Sequence, residues 1–292
     1  MNSILKQIKN KFHKASIINK LIYANVTIFI FFSLIDVISY LINANVNIFI
    51  NKFELPSNTD TFIQQPWAII TYMFFHNSFL HLLFNMIWLH FGGKILINYI
   101  NPKQFLSSYL IGGICGGILF ILSYNFIPAF SDIYLSAFAL GASASVFAIM
   151  IAAATYSPNL VIQLPLFGSI KLKYIAIFMI TLDIISIPKG NAGGHIAHIG
   201  GAIFGFFYIN QLKRGKDYSI TLTKIIDIII NTFNKKPNFK KVHKRPKTDY
   251  EFNEEKAKQK QEINKILEKI SKSGYESLSQ KEKDILFSAS KK

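Results

Sequence analysis

The feature that most constrains this chain is a long block with almost no charge. Residues 21–210 hold only 11 of the 48 Lys, Arg, Asp and Glu side chains in the 292-residue sequence. Soluble domains are about one quarter charged, whereas this chain is 16% charged and 51% hydrophobic. Water is therefore a poor solvent for the middle of the chain, and we expect that block to fold inside a lipid bilayer.

Six apolar stretches in this block are long enough to cross a bilayer, which takes about 20 residues as an α-helix. They lie near residues 20–42, 78–98, 104–124, 138–156, 171–187 and 194–212. The first follows five lysines, but it is too long for the apolar core of a signal peptide and lacks a small-x-small cleavage pattern. We therefore predict an all-α, polytopic membrane protein with six transmembrane helices, the first of them uncleaved.

The lysines in the connecting segments predict the orientation, because basic loops stay on the cytoplasmic side. With six alternating spans, one side collects the five N-terminal lysines, four loop lysines and the basic tail. The opposite side holds only Lys52 and Lys189. Both termini are accordingly expected in the cytoplasm.

Polar side chains inside membrane spans are costly and commonly mark function. Spans two, four and six run from the outer to the inner face, so their N-terminal halves share one depth. His81 and Asn85 sit in the first turns of span two, Ser143 starts span four and His198 sits in the first turns of span six. We expect these four groups to converge near the outer face, whereas Asp36 stands alone in the first span, where a packing role is expected.

The four residue types suit acyl transfer. His81 and Asn85 are four positions apart on one helix face, and both can donate hydrogen bonds to one oxyanion. Ser143 at a helix start adds a free backbone N–H and the positive end of the helix dipole. His198 supplies an imidazole base for the hydroxyl. The pattern predicts a serine–histidine site without an obvious acidic member.

Three blocks around these residues resemble the rhomboid family of intramembrane serine proteases. They are Gln65-Pro66-Trp67 through His76 to His81-Leu82-Leu83-Phe84-Asn85, then Gly141-Ala142-Ser143-Ala144, and finally Ala197-His198-Ile199-Gly200-Gly201 with Gly205. Each block alone is weak evidence, but their order on spans two, four and six is specific. The resemblance covers residues 20–212 and implies a six-transmembrane-helix rhomboid bundle that carries a small cytoplasmic helical tail.

The resemblance also implies roles for individual residues, and it implies neither a metal nor a cofactor. Ser143 becomes the nucleophile and His198 its general base, in a dyad rather than a triad. His81, Asn85 and the Ser143 backbone N–H become the oxyanion donors. The supporting residues are His76 in a hydrogen-bonded, wet outer cavity, Phe147 stacked on the base, and the glycines Gly141, Gly201 and Gly205.

Some positions depart from the family pattern or compete with it. Ala144 stands where the family has glycine, and it is small enough that we expect activity to survive. Ser145 is a rival nucleophile, but on a helix it points about 200° away from Ser143. Asp183 is interpreted as structural, and His195, which lacks the following glycines, as a histidine at the edge of a loop.

The resemblance implies that the partners are transmembrane proteins, cut in or just outside a membrane helix. A helix hides its carbonyls in internal hydrogen bonds, so a substrate must unwind locally before a serine can reach one. The glycine-rich segment 188–194 joins spans five and six and could serve as a lid.

The sequence divides into a basic segment 1–19, the core 20–212, a linker 213–250 and a helical hairpin 251–292. Residues 218–233 have one apolar face and are expected to lie on the membrane surface. Residues 235–247 carry seven basic side chains and no acid, which beside a membrane favours anionic lipid over nucleic acid. The hairpin resembles an appendage of rhomboids in some bacteria, so we expect a multi-pass protein of a bacterial inner membrane, with a mitochondrial membrane as the alternative.

Two other classes compete with a protease. An inactive rhomboid-like scaffold would bind transmembrane helices without cutting them, although the presence of both Ser143 and His198 argues against it. A membrane protein that binds a metal or haem would use the histidines as ligands, but this leaves Ser143 and Asn85 without a role. A serine-type endopeptidase explains all of these residues.

Overall fold

The computed structural model describes residues 6–7, 10–12, 14–43, 51–164, 168–220, 222–224, 227–228 and 248–290. The chain divides into two compact units, Met1–Asn234 and Lys235–Lys292. The basic segment 235–247 and much of the expected surface helix 218–233 lie outside the described residues, so both stay predictions.

Helices dominate the first unit. They are α1 (Ile17–Leu41), α2 (Thr59–Gln64), α3 (Ala68–Thr71), α4 (Phe79–Leu96), α5 (Pro102–Phe126), α6 (Ser143–Tyr156), α7 (Leu172–Ser186) and α8 (Ala192–Lys213). Short 3-10 helices cover Tyr72–Phe74, Pro128–Phe130 and Ile187–Lys189. The described part of this unit also has two small antiparallel strand pairs: β1 (Leu55–Pro56) with β2 (Phe138–Ala139), and β3 (Val161–Leu164) with β4 (Gly168–Lys171).

The all-α, polytopic membrane fold predicted from the sequence is confirmed. Among the described residues, four helices, α1, α4, α5 and α8, are long and apolar enough to cross a membrane. The stretches predicted as spans four and five form shorter helices of 14 and 15 residues. Helix α6 is only about 21 Å long at 1.5 Å per residue, because residues 138–142 are used by β2 and a glycine turn. A helix of this length is shorter than the hydrocarbon layer, which is about 30 Å thick.

Helix α6 forms the centre of the bundle and packs against α4, α5 and α8. Its small residues Ala148, Ala152 and Ala153 are fully buried, which allows the surrounding backbones to approach closely. The outer faces of the bundle are apolar and exposed. Phe31 on α1, Phe178 on α7, and Ile203, Phe206 and Phe207 on α8 are each more than half exposed, as expected for side chains solvated by lipid.

The second unit contains α9 (Asp249–Ser273), a 3-10 turn at Tyr275–Ser277 and α10 (Gln280–Ser290). Gly274 ends α9 with a positive φ of 78°, and the Ser279 hydroxyl lies 2.8 Å from the Glu282 carboxylate. The backbone N–H of Ser279 and the Lys269 ammonium hold the pKa of Glu282 down to about 2. The helical hairpin predicted at 251–292 is therefore present as two helices, the first of which begins two residues earlier, at Asp249.

Asp217 anchors the chain that leaves α8. Its carboxylate accepts hydrogen bonds from Gln104 Nε2 at 2.8 Å, Tyr208 Oη at 3.2 Å and the Ser219 backbone N–H at 2.8 Å. Burial by itself raises the pKa of Asp217, but the hydrogen bonds from Ser219 and Gln104 outweigh burial and lower that pKa below the ordinary value of 3.8. The carboxylate thus ties this segment to both α5 and α8.

Asp217→Asn is expected to lower the thermal stability of the detergent-solubilised protein at pH 7. The folded-state pKa lies below the unfolded one, so the stabilisation is present above about pH 4 and is lost as pH falls through the folded-state value. Thermal unfolding from pH 7 to pH 3 should therefore show the variant and wild type converging at low pH. Asp227→Asn is the matched control, because the ion pair of Asp227 with Lys103 is exposed to solvent, where such a pair contributes little to stability. Equal losses in both variants would contradict the anchoring role.

Candidate active site

Ser143 is the first residue of α6, and a glycine turn places it there. Gly141 has φ +122°, a conformation that L side chains rarely adopt. A Cβ added at Gly141 would lie 2.7 Å from the His81 Cε1 atom, so glycine is needed both for the turn and for the imidazole packed against it. The Gly141 N–H donates to the Tyr72 carbonyl at 2.9 Å. These contacts fix the start of α6 beside the histidine of α4.

Close contact between α6 and α8 brings His198 to the same place. A Cβ added at Gly201 would collide with the Ala144 carbonyl oxygen, and one added at Gly205 with the Ala148 carbonyl oxygen. The backbones of α6 and α8 are therefore in contact just C-terminal to Ser143 and His198. The Phe147 ring stacks on the His198 imidazole with centroids 4.6 Å apart and planes 16° from parallel, as the resemblance implied.

A cavity of about 1350 Å³ opens over this junction. Ser143, His198, His81 and Asn85 all line it, so the structure brings together the four groups that the sequence predicted to converge. Aromatic and aliphatic side chains form the walls on α4 and α7, among them Phe84, Trp88, Tyr174, Phe178 and Leu182. The cavity thus combines a cluster of polar groups with apolar sides.

The predicted oxyanion donors sit in defined hydrogen-bond networks. Asn85 is buried, and its Nδ2 donates to the His81 carbonyl at 2.9 Å, which leaves one amide hydrogen for a further acceptor. His81 Nδ1 lies 3.0 Å from Asn77 Oδ1, a partner that the sequence analysis did not identify. Both side chains are held by neighbours on their own helix or immediately before it.

His76 acts from behind the cavity, since it is absent from the lining residues. Its Nε2 accepts the Ala142 backbone N–H at 3.3 Å, and its ring meets the His81 ring edge-on with centroids 5.1 Å apart. Burial and the neighbouring His81 lower the pKa of His76 to about 3, which keeps it a neutral acceptor. His76 therefore has the hydrogen bond that was expected, but it does not line the cavity.

A carboxylate lies next to His198, contrary to the expectation of a site without an acid. Asp183 on α7 has its Oδ1 atom 2.9 Å from His198 Nδ1 and 2.5 Å from His195 Nδ1. Asp183 is only 6% exposed. His195 lies in the first turn of α8 and faces this cluster, which differs from the interpretation as a histidine at the edge of a loop.

Asp183, His195 and His198 are also the three described residues whose ligand atoms come close enough together to hold a metal ion. The separations argue for hydrogen bonds instead. Ligand atoms around a tetrahedral zinc ion are about 3.3 Å apart, given metal–ligand bonds of about 2.0–2.2 Å. The O···N distances of 2.5 and 2.9 Å are those of N–H donors meeting a carboxylate.

The segment 188–194 predicted as a lid is shorter than expected, because α8 already begins at Ala192. Gly190 with φ +119° and Asn191 with φ +50° make the sharp turn before the helix. Asn191 and Gly194 line the cavity. The segment therefore borders the site, and its role as a lid stays a prediction.

The chain belongs to the rhomboid family: the Rhomboid domain model matches residues 64–214, which is half of the chain. Residues 247–292 match a second model, described as a family of unknown function (DUF6576). This second match covers the helices of the tail unit.

Two curated relatives are similar to the chain. "RHOMBOID-like protein 12, mitochondrial" from Arabidopsis thaliana is 29% identical over 158 residues, which is 51% of this chain and 47% of that protein. "Presenilin-associated rhomboid-like protein A, mitochondrial" from Danio rerio is 32% identical over 140 residues, 47% of this chain and 35% of that protein. The chain therefore spans less than half the length of either relative.

Proposed function

We propose that this protein is an intramembrane serine endopeptidase that cleaves transmembrane proteins through Ser143 and His198. The observation that carries the proposal is the junction of α6 and α8, where a serine at a helix start and a stacked imidazole line one cavity. Rhomboid family membership supports the same class of activity. His81 and Asn85 line the same cavity, which supports a role for them as oxyanion donors beside the nucleophile and its base.

In the proposed mechanism the Ser143 hydroxyl attacks a peptide carbonyl while His198 takes its proton. The tetrahedral oxyanion receives hydrogen bonds from the Ser143 backbone N–H, the free Asn85 amide hydrogen and the His81 imidazole. His198 then returns the proton to the leaving amine, which releases one product and leaves an acyl-enzyme. Water adds to the acyl carbon by the same steps and frees the second product.

The shape of the cavity supports a membrane-embedded substrate. Its apolar walls on α4 and α7 suit the side chains of a transmembrane segment, whereas the Ser143 end offers hydrogen-bonding groups. A helix that enters here must unwind to expose its scissile carbonyl. The hydrogen-bonding groups at the Ser143 end of the cavity would replace the backbone hydrogen bonds that the substrate helix loses when it unwinds.

We place the protein in the inner membrane of a bacterial cell, with both termini in the cytoplasm. The asymmetry of loop lysines supports this orientation, and segment 235–247 would then face the anionic inner leaflet. Both relatives are named as mitochondrial proteins. Labelling of single cysteines introduced at Lys52 and Lys213, with Cys115 replaced, tests the orientation, since only Lys52→Cys should react from outside.

Cleavage in proteoliposomes tests the proposed activity. Purified protein is reconstituted with a single-span substrate that carries small residues and helix-weakening residues at one end of its membrane segment. We expect two fragments whose new termini map to that end, as read by mass spectrometry. A panel of such substrates left intact under every lipid composition would instead favour a rhomboid-like scaffold that binds membrane helices without cutting them.

Asn85→Ala is expected to lower kcat by about 10²–10³-fold with little change in KM. The substitution removes one oxyanion donor, a loss that costs on the order of 3–4 kcal/mol of transition-state stabilisation. The initial cleavage rate at several substrate densities in the proteoliposome separates kcat from KM. Asn98→Ala is the matched control, because Asn98, in the turn after α4, donates the same kind of side-chain hydrogen bond, from Nδ2 to the carbonyl four residues earlier at Lys94, 3.0 Å away and outside the cavity lining. An equal loss in both variants would contradict the oxyanion role.

A further inference from the structure

The buried carboxylate of Asp183 meets the two histidines of α8 through one oxygen atom. Oδ1 is 2.9 Å from His198 Nδ1 and 2.5 Å from His195 Nδ1, and the side chain is 6% exposed. Its other oxygen, Oδ2, is buried without a hydrogen-bond partner among the described residues. The carboxylate is therefore committed to the two imidazoles, and its position is set by them.

This geometry determines where the imidazole protons sit. An ionised carboxylate has only acceptor atoms, so each Nδ1 that meets it must carry a hydrogen. A neutral His198 with its hydrogen on Nδ1 has a free lone pair on Nε2, which is the form that accepts a proton from a serine hydroxyl. The opposite tautomer would present an N–H to Ser143 and could not act as a base.

We propose that Asp183 is a positioning residue that holds His198 in the tautomer and orientation needed for proton transfer, which makes the dyad of this protein a three-residue chain. The inference rests on the proposed function and adds to it a residue on α7. The carboxylate also faces the imidazolium that forms when Ser143 gives up its proton, and so stabilises the charge that develops there.

The ionisable side chains that face His198 in the described part of the chain come from three helices. Asp183 belongs to α7, His195 to α8 itself and His81 to α4. From α6, Ser143 and the Phe147 ring contribute no charge. Asp183 is the one anion in this set, so removing its charge should destabilise the protonated form of His198.

Asp183→Asn is expected to lower kcat on the order of 10²-fold, within the range that a positioned acid–base group contributes, with KM unchanged. The ascending limb of the pH profile of kcat/KM should move to lower pH, because an imidazolium without its carboxylate loses the proton more readily. A purely structural role would reduce activity without moving this limb. Asp183→Glu, which restores a carboxylate, should return the limb to the wild-type position.

Asp36→Asn is the matched control, since it removes the same charge from another membrane helix at an exposed position away from the cavity. It should leave kcat, KM and the pH profile as in wild type. Thermal unfolding of each variant in detergent checks that all of them are folded before cleavage is compared.

A second measurement does not depend on proteolysis or on any variant being active. In protein labelled with ¹⁵N-histidine, we expect His198 and His195 of the wild type to carry hydrogens on Nδ1, with the signals assigned by His198→Gln and His195→Gln. Wild type that cleaves no substrate would defeat the proposed function, and the NMR spectrum would then decide the inference alone. Hydrogen on Nε2 of His198, or an unshifted pH profile with full activity in Asp183→Asn, would overturn it.

Discussion

Under the proposed function, Ser143→Ala should abolish cleavage of a transmembrane substrate, with a loss on the order of 10⁶-fold in kcat, as for the serine protease subtilisin without its nucleophile. The variant keeps the cavity and the oxyanion donors but cannot form the acyl-enzyme. Because alanine favours a helix at least as well as serine does, the substitution at the first residue of α6 should not change the fold. Fragment yield at matched protein density in proteoliposomes measures the effect.

Ser145→Ala provides the control for this experiment. Ser145 lies two residues further along α6, is fully buried and has no hydrogen-bond partner for its hydroxyl among the described residues. It faces α5, since a Cβ added at Gly113 would lie 2.5 Å from its Oγ atom. Full activity of Ser145→Ala beside an inactive Ser143→Ala is expected, whereas residual cleavage by Ser143→Ala would point to another nucleophile.

Gly201→Ala should disrupt both folding and catalysis, because the α8 backbone lies directly on the Ala144 carbonyl. Neither backbone can yield without moving its helix, so we expect a destabilisation of about 3 kcal/mol, at the upper end of the usual cost of overpacking. Displacing α8 also displaces His198 from Ser143, and a shift of about 1 Å between reacting groups costs on the order of 10²-fold in rate.

Gly93→Ala is the matched control for Gly201→Ala. Both glycines lie inside helices, but a Cβ added at Gly93 would meet flexible side-chain atoms of Ile18 and Phe105 at 3.2 Å. The added methyl also favours the helix by about 1 kcal/mol, so the net change should be small. Thermal unfolding and cleavage rates of the two variants give the comparison. Similar stabilities would contradict the account of the α6–α8 contact.

Much of the fold was predictable from hydropathy, since a bilayer permits few ways to satisfy backbone hydrogen bonds. Long apolar stretches identified α1, α4, α5 and α8. The shortness of α6 was not predictable, because Phe138 and Ala139 are as apolar as the helix that follows. Their pairing with Leu55 and Pro56 depends on a partner more than 80 positions away.

The four polar groups of the candidate site were predictable because each lies in the first turns of a span, and depth in the membrane restricts where such groups can meet. The hydrogen bond that His198 donates to Asp183 was not predictable. Asp183 lies in the last turn of α7, and the direction in which it faces depends on how α7 is rotated against α8. Spacing along one helix carries no information about the rotation of another.

The central claim is that Ser143 is a nucleophile activated by His198, and fluorophosphonate labelling of the detergent-solubilised protein tests it most directly. The probe forms a covalent bond only with an activated serine, so it needs no knowledge of the substrate. We predict labelling of wild type and Ser145→Ala, and none of Ser143→Ala or His198→Ala. Labelling that persists in Ser143→Ala, or that is absent from folded wild type, would contradict the claim.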